Sequence, residues 1–482
     1  MKTGNSSSIG VMILAAGLGK RMRSTLPKVL HEMGGKPLIY HVLSRVKETA
    51  SQASICLVVG HGREQVESYI RSEPNFEGMD IHFVFQELQK GTGHAARCAM
   101  DSEWGTRQVK QNSLVLVLPG DLPLISAQMV SSMVSPLEKS EALKLLTTEL
   151  SDPTGYGRIV RKGKRGPVQK IVEEKDANAR EKQIKEVGAS IYSFRAEFLR
   201  DALRKLSNKN AQGEYYLTDV IAQAIRVRKK VSVLEWSQAE DLRGVNDPWE
   251  LSQAIEILNR RIIRHWAVQG VKFLGPNSTH LDVIVTLGEG TVVHPGVILR
   301  GDTRIGKSCV LGSYVVLKDV EVSDEANLKT GTTAEQSRIE SQAQLGPYAH
   351  LRPESVVGNR AKIGNFVELK KTRIGEGTSV AHLSYLGDAE VGRNVNIGCG
   401  FVTCNFDGRM IDGQRKHRTV IEDDVFLGSD CQAVAPVKIG KGAYIASGST
   451  ITEDVEPGAL AIARSRQVNK PGYAAQLKKS KE

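Results

Sequence analysis

The stretch Val11–His31, "VMILAAGLGKRMRSTLPKVLH", admits two readings that lead to different proteins. As the apolar part of an export signal it has Lys2 ahead of it and the small residues Ala15, Ala16 and Gly17 at its end. As a strand feeding a loop it has Gly17 and Gly19, whose backbone amides stay open to an anion, and the cations Lys20, Arg21, Arg23 and Lys28 around the same bend. The apolar run Val11–Ala16 sits at or below the short end of the roughly 7 to 15 residues an export segment uses, and polar "TGNSSS" separates it from Lys2. The stretch therefore predicts a strand ending in a polyphosphate cradle. That cradle matches neither common fingerprint: G-x-x-x-x-G-K-[ST] is absent, and Met22 holds the last glycine position of G-x-G-x-x-G.

Outward from this strand, up to about Asn246, short apolar runs alternate with amphipathic helices, the pattern of a parallel sheet covered on both faces. Candidate strands are "VMILAAG", "SICLVVG", "IHFVFQE" and "LVLVLPGD"; between the first two, Leu38, Val42 and Val46 of "PLIYHVLSRVKE" recur at helical spacing. Ligands of such sheets gather beyond the carboxyl ends of the strands, where "AAGLGKRM" and "PGD" fall. Next, "NDPWELSQAIEILNRRIIRHWAVQG" offers Asp247 as a cap, Pro248 in the first turn, and a stripe of Leu251, Ile255, Leu258, Ile262 and Trp266, with Gly270 as the stop. This helix reads as an arm between two halves, and its stripe is equally compatible with packing on the first.

From Leu287 the apolar period becomes six. It runs through Leu287, Val293, Leu299, Ile305, Leu311 and Leu317, through Ile339, Leu345, Leu351, Val357, Ile363 and Leu369, and through Ile421, Leu427, Ala433, Ile439, Ile445 and Ile451. Neither a lone helix nor an ordinary strand has this period; a solenoid does, with short parallel strands stacked ~4.8 Å apart over an aliphatic interior. Breaks near Val320 to Glu335 and at Cys404 to Thr419 predict loops that leave the stack, natural places for a site.

At 482 residues the chain calls for two or three domains. Its net charge of +11 is spread among acidic residues rather than gathered into a patch, so anionic small molecules account for it as well as nucleic acid does. Cys56, Cys98, Cys309, Cys399, Cys404 and Cys431 form no Cys-x-x-Cys pair, which favours reduced thiols over a disulfide framework or zinc site. No apolar run approaches the ~18 to 20 residues that span a bilayer. The terminal "LKKSKE" reads as a solvated tail.

Two places carry chemistry. Asp121 follows a strand where a nucleotide-bound cation would need an oxygen ligand, and Mg²⁺ requires only one or two protein groups; an Asp capping the next turn fits the residue equally well. In the second half, Lys370, Lys371, Arg373, His382 and Tyr385 cluster within "GNFVELKKTRIGEGTSVAHLSYLGDAEVG", with Arg352 two coils earlier. Cations beside an imidazole suit a sugar phosphate and a base working near neutral pH, although a solvated charged face gives the same composition.

The motifs, in order, resemble a known family. "LAAGLGKRM", "LPKVLH", "GTGHA", "PTGYGRI", "NAQGEYYLTD" and "GVN", then "LRPES", "GNFVELKK", "HLSYLGDAEVG", "NVNIG" and "TCNFDG", are similar to the bacterial bifunctional N-acetylglucosamine-1-phosphate uridylyltransferases and glucosamine-1-phosphate acetyltransferases over nearly the whole chain. The resemblance implies an α/β Rossmann-like nucleotidyltransferase domain over 1–246, a linker helix over 247–270, and a left-handed parallel β-helix of hexapeptide repeats with a C-terminal tail over 271–482. For the first domain it implies Leu14, Ala15 and Gly17 at the substrate, and Gln86, Gly91 and Thr92 at uracil and ribose. Arg21 and Lys28 fall on the phosphates as catalytic residues, Gly157 and Glu173 at the acetylated sugar, and Asp121 with Asn246 on Mg²⁺, Asn246 also touching substrate. For the second it implies His382 as general base, Arg352 and Lys370 on the sugar phosphate, and Tyr385, Asn396 and Asn405 around the sugar. Cys399, Phe406, Ser429, Ser447 and Arg464 fall on the acetyl-CoA side. It further implies UTP and acetyl-CoA as co-substrates, a homotrimer joined through the β-helix, and a product feeding cell-wall and lipopolysaccharide synthesis, while the reduced thiols predict a cytoplasmic location, the short apolar runs no membrane insertion, and the dispersed charge no nucleic acid.

The chain departs from that family at Pro119, where Tyr is usual, and at Gly188, where Asn stands near the acetamido group. Cys399 and Ser447 replace small Ala residues, Phe406 replaces Tyr, and the loop 406–419 is longer. Two rival readings remain: a single-function sugar-1-phosphate nucleotidyltransferase with a structural or regulatory β-helix, and a trimeric RNA scaffold. The grouping of His382, Lys370 and Tyr385 opposes the first, and the absence of interleaved aromatics opposes the second.

Overall fold

The computed structural model describes residues 8–163, 166–408, 410, 413 and 415–479. Lys2 and "TGNSSS" as far as Ser7, the last three residues of the "LKKSKE" tail, and residues 409, 411, 412 and 414 of the long loop lie outside that set. The chain divides into two compact units, Met1–Leu258 and Asn259–Glu482.

Within the first unit, Ile9–Ala15 is a strand whose Val11, Met12 and Ile13 are wholly buried. Parallel neighbours, Leu114–Pro119 and Ser54–Val59, flank it, and Ile81–Phe85 extends the sheet beyond the latter. Because side chains alternate along a strand, Val11, Ile13 and Ala15 enter one apolar cluster and Met12 another. Leu38–Thr49 covers the first face through Ile39, Val42, Leu43 and Val46, while Thr92–Asp101 and Ala196–Leu203 cover the second through Ala95, Ala96 and Leu199.

The sheet is not parallel throughout, contrary to the sequence pattern. Glu186–Arg195 runs antiparallel to Leu114–Pro119 and Glu141–Glu149, and Gly157–Arg161 and Val168–Val172 extend it as an antiparallel pair. The links from Glu149 to Gly157 and from Arg161 to Val168 are too short for the dozen or so residues of a parallel crossover. From the central strand the chain first builds outward to Ser54–Val59 and Ile81–Phe85, then returns to the opposite side at Leu114–Pro119. This reversal opens a crevice at the carboxyl ends of Ile9–Ala15 and Leu114–Pro119.

One buried titratable group in this unit has a measurable consequence. His41, on Leu38–Thr49, donates from Nε2 to the Met33 carbonyl at 2.8 Å, and burial lowers its pKa from 6.5 to about 4. The unfolded chain therefore takes up a proton between pH 6.5 and 4 that the folded one refuses, and stability falls over that window by about 3 kcal/mol. Urea unfolding followed from pH 7.5 to 4.5 will show the decline, and His41→Gln, which keeps a donor without titrating, will flatten it.

In the second unit, three parallel sheets form the sides of the solenoid. Each short strand pairs with the equivalent strand one coil on, as Val292 does with Val310 and Ile298 with Val316. The residues of the six-period are its interior: Leu299, Leu311, Leu317, Ile339, Leu345, Leu369, Leu427 and Ile445 have no exposure. At Val320 to Glu335 the expected departure does not occur. Glu321–Val322, Asn327–Leu328 and Thr333–Glu335 all stay in register above and below. Ile305 pairs with Val322, so one corner is a residue shorter while the inward positions are kept. At Cys404 to Thr419 the chain does leave: Ala389 is the coil neighbour of Thr419.

Pro248–Val268 is a helix. Asp247 Oδ1 accepts the Glu250 N–H at 2.9 Å, Glu250 Oε2 accepts the Asn246 N–H at 2.6 Å, and Gly270 beyond its end has φ +93°. Ala254 and Ile257 pack with Met33, Leu38 and Val245, whereas Ile263 enters the solenoid interior with Ile262 and Trp266 against it. All six cysteines are unpaired. Among the described residues no helix is long and apolar enough to cross a membrane.

Candidate active sites

In the first unit the crevice is lined by the loop after Ile9–Ala15 and by Gly120–Asp121. Gly120 donates its N–H to the Leu14 carbonyl at 2.9 Å, tying the two strand ends together. Gly19 is left-handed at φ +59°, and a Cβ there would stand 2.9 Å from Lys28 Cβ, so both backbone and space demand glycine. Around Gly17 the space is open. Lys20–Met22 forms one 3₁₀ turn, buries Met22 and leaves Arg21 exposed. Lys28 Nζ pairs with Asp121 Oδ2 and donates to Asn246 Oδ1 at 3.2 Å. Asp121 thus directs its carboxylate to a cation rather than to the following turn, and its carbonyl accepts the Val245 N–H at 3.0 Å, holding Asn246 alongside. Three residues far apart in sequence converge, and the two oxygens that face the Lys28 ammonium are hard ligands of the type Mg²⁺ takes.

A second group sits on the same unit. Gln86 is buried next to Gly91, and Thr92 Oγ1 accepts the Leu217 N–H at 3.2 Å. Glu173 accepts from Thr218 Oγ1 at 2.9 Å; burial, followed by Asp219, Asp176 and Glu214, pushes its carboxyl above the ordinary range against that hydrogen bond. A Cβ on Gly157 would lie 3.6 Å from Glu173 Oε2, so these two adjoin. Thr218 was not singled out from sequence, since a threonine after "YYL" carries no pattern of its own.

On the solenoid, His382 and Asn365 are paired across adjacent coils, with Nδ1 to Oδ1 at 2.6 Å. An amide oxygen only accepts, so Nδ1 carries the hydrogen and Nε2 keeps its lone pair. Arg352 lies in the same column as Lys370 because Leu351 pairs with Leu369, one coil apart, and Arg352 is also bonded to Glu368 at 3.0 Å. Next in that column is Gly387, where a Cβ would fall 2.5 Å from both Tyr385 Oη and Asn405 Nδ2. Only glycine lets these two polar groups come so close to the backbone there, and Asn405 is anchored on Asp388.

Coil register also joins the remaining residues. Val380 pairs with Ile397, Ile397 with Leu427 and Leu427 with Ile445, which puts His382, Cys399, Ser429 and Ser447 in one column along four coils. At ~4.8 Å per coil the column is ~14 Å long, room for an extended ligand leading to His382. Arg464 lies beyond its end, with Cδ 3.8 Å from where a Gly448 Cβ would be. Asn396 lies on the neighbouring outward column, above Phe426. Phe406 is exposed and carries the Lys416 ammonium 4.3 Å from its ring centroid, a cation the sequence did not mark.

The nucleotidyl transferase family profile matches residues 10–256, and that of the bacterial transferase hexapeptide (six repeats) matches residues 284–319 and 418–453. The bifunctional protein GlmU of Geotalea uraniireducens is 42% identical over 98% of this chain and 100% of its own. Those of Halalkalibacterium halodurans and Syntrophotalea carbinolica are 44% and 45% identical, over 96% and 95% of this chain and 97% and 95% of theirs. The chain belongs to the GlmU family. It is therefore a transferase with a nucleotidyltransferase domain followed by a hexapeptide β-helix.

Among the departures from the GlmU pattern, Gly188 has a local explanation. A Cβ there would stand 3.2 Å from Ile171 Cδ1 and 3.4 Å from Ile159 Cδ1, so two isoleucines occupy the space toward which a longer side chain would project. Pro119 ends its strand opposite Leu14 and keeps the Gly120–Leu14 bond intact.

Proposed function

We propose that this GlmU-family chain performs two reactions in sequence: its β-helix acetylates glucosamine 1-phosphate from acetyl-CoA, and its N-terminal unit transfers uridylyl from UTP to the N-acetylglucosamine 1-phosphate formed, releasing pyrophosphate. The reading is supported by two clusters, Lys28–Asp121–Asn246 and His382–Asn365, in a chain that matches a bifunctional relative over 98% of its length.

For acetyl transfer, the Nε2 lone pair of His382 takes a proton from the sugar ammonium or from the amine as it attacks the thioester carbon; the C–S bond breaks and the CoA thiolate leaves with the electron pair. Arg352 and Lys370 bind the sugar phosphate, Tyr385, Asn396 and Asn405 line the sugar, and Cys399, Phe406, Ser429, Ser447 and Arg464 line acetyl-CoA. For uridylyl transfer, a phosphate oxygen of the sugar attacks the α-phosphorus in line and pyrophosphate departs. Arg21 and Lys28, with the backbone of Leu14, Ala15 and Gly17, bind the phosphates. Gln86, Gly91 and Thr92 hold the nucleoside, and Gly157 and Glu173 hold the acetylated sugar. Asp121 and Asn246 would hold Mg²⁺, which when bound neutralises charge on the phosphates.

The domain limits 1–246, 247–270 and 271–482 belong to this proposal, as do a cytoplasmic location and a homotrimer built through the β-helix. The trimer is supported by an exposed apolar row at the solenoid corners, Tyr314, Tyr348, Phe366 and Leu383, in which the Tyr348 and Phe366 rings stack at 5.6 Å.

Following CoA release with glucosamine 1-phosphate, and pyrophosphate release with N-acetylglucosamine 1-phosphate and UTP, on one preparation tests the whole scheme. Both signals are expected, the second lost with EDTA and restored by Mg²⁺. Pyrophosphate alone would reduce the β-helix to a structural module.

A further inference from the structure

Gln86 and His94 share a contact that the placement of Gln86 beside uracil does not by itself explain. Gln86 Nε2 lies 3.2 Å from the Gly91 carbonyl and 2.9 Å from His94 Nδ1. Since a carbonyl oxygen only accepts, the amide must turn its nitrogen toward Gly91, and its second hydrogen then goes to His94 Nδ1. This in turn requires Nδ1 to be unprotonated. The Gln86 Oε1 has no partner among the described residues and is left to a ligand.

The acceptors themselves are fixed. Gly91 has φ +96°, and a Cβ there would meet the Tyr215 carbonyl at 2.7 Å. Tyr215 donates its N–H to the Lys90 carbonyl at 2.8 Å, and Gly93 donates to the Tyr215 carbonyl at 2.7 Å, so the turn holding Gly91 is pinned on both sides. The imidazole is held too, with Cys98 Sγ 3.9 and 4.0 Å from its two nitrogens and Tyr215 at 6.4 Å between centroids. Burial, then Arg97 and Lys90, holds the pKa of His94 below the ordinary imidazole range, which keeps the ring neutral, and the Gln86 Nε2 contact selects the tautomer with its lone pair on Nδ1.

We propose that His94 is a positioning residue for base selection, locking the Gln86 carboxamide with its oxygen toward the nucleobase so that the site takes a pyrimidine bearing an N–H at ring position 3 and rejects one bearing a lone pair there. The proposal rests on the reading of this unit as a uridylyltransferase. Uracil presents the N3–H that an amide oxygen accepts; cytosine presents a bare N3, which repels that oxygen and would suit a flipped amide offering NH₂. Flipping sets Oε1 against the Gly91 carbonyl and Nδ1 of His94, two acceptors at once, so the neutral imidazole roughly doubles the opposition to the wrong orientation.

The test measures kcat and KM for UTP and for CTP by pyrophosphate release, with the full chain and N-acetylglucosamine 1-phosphate, in the parent, His94→Ala and His94→Gln. His94→Ala is expected to raise KM for UTP about 10-fold and to lower the UTP:CTP ratio of kcat/KM by about 10-fold or more, with kcat for UTP little changed. His94→Gln, whose amide oxygen again accepts from Gln86, is expected to recover the parental ratio. A His94→Ala enzyme that keeps the ratio overturns the proposal, as does one that loses kcat alone. If His94→Ala is inactive, His94→Gln decides: the parental ratio supports the lock, and a lowered ratio or no activity overturns it. A parent enzyme that releases no pyrophosphate from UTP sinks the uridylyltransferase reading itself, a result distinct from any of these.

Discussion

His382→Ala lowers CoA release with glucosamine 1-phosphate by about 10²- to 10⁴-fold, the usual contribution of a positioned general base, and leaves pyrophosphate release from UTP at the parental rate. The geometry behind this expectation is the 2.6 Å contact from Nδ1 to Asn365 Oδ1, which fixes both the ring plane and the tautomer. An exposed imidazole with no such partner would divide its population between tautomers, and only one of them turns a lone pair toward the amine. Asn365→Ala should therefore give an intermediate loss, and Asn365→Asp a smaller one with the acid limb of the pH profile moved upward, because a carboxylate favours imidazolium. CoA release at the parental rate from His382→Ala would show that the β-helix transfers acetyl by some other residue or not at all.

Asp121→Asn is expected to lower pyrophosphate release by about 10²- to 10³-fold, with CoA release unchanged. Among the described residues its carboxylate is the only acidic side chain that meets the Lys28 ammonium, and it shares that cation with the amide oxygen of Asn246. Removing the charge leaves the site with excess positive charge before nucleotide binds and with a weaker oxygen ligand for a divalent ion. The Mg²⁺ concentration giving half-maximal rate should rise in the variant. If the rate and the Mg²⁺ dependence both stay at parental values, Asp121 is structural and the ligand set is elsewhere. An equal fall in both activities would indicate general destabilisation, which an unfolding midpoint measured alongside would reveal.

Local pattern made much of this molecule legible. Val11–Ala16 could be read as a buried strand because its hydrophobicity and the glycines after it are adjacent in sequence, and the fold buries Val11, Met12 and Ile13 completely. The six-period was legible for the same reason: each inward residue is set by the corner a few positions away, so Leu299, Leu345 and Ile445 need no distant partner to be recognised. The general character of the two sites followed from motifs such as "LAAGLGKRM" and "GNFVELKK".

What the sequence could not decide was which distant residues meet. The continuity of the stack through Glu321–Val322 and Asn327–Leu328 depends on hydrogen bonds to coils on either side, which tolerate a corner one residue shorter. The column from His382 through Cys399 and Ser429 to Ser447 is hidden by the excursion after Cys404, since sequence spacing across it no longer equals one coil. Asn365 as the partner of His382, and Lys28 as the cation shared by the Asp121 and Asn246 that the resemblance already paired, likewise arise from pairing between strands and strand ends. A residue's tendency to be buried is local and survives in the one-dimensional pattern, whereas register is the sum of every turn between two positions, and only the folded chain adds that sum.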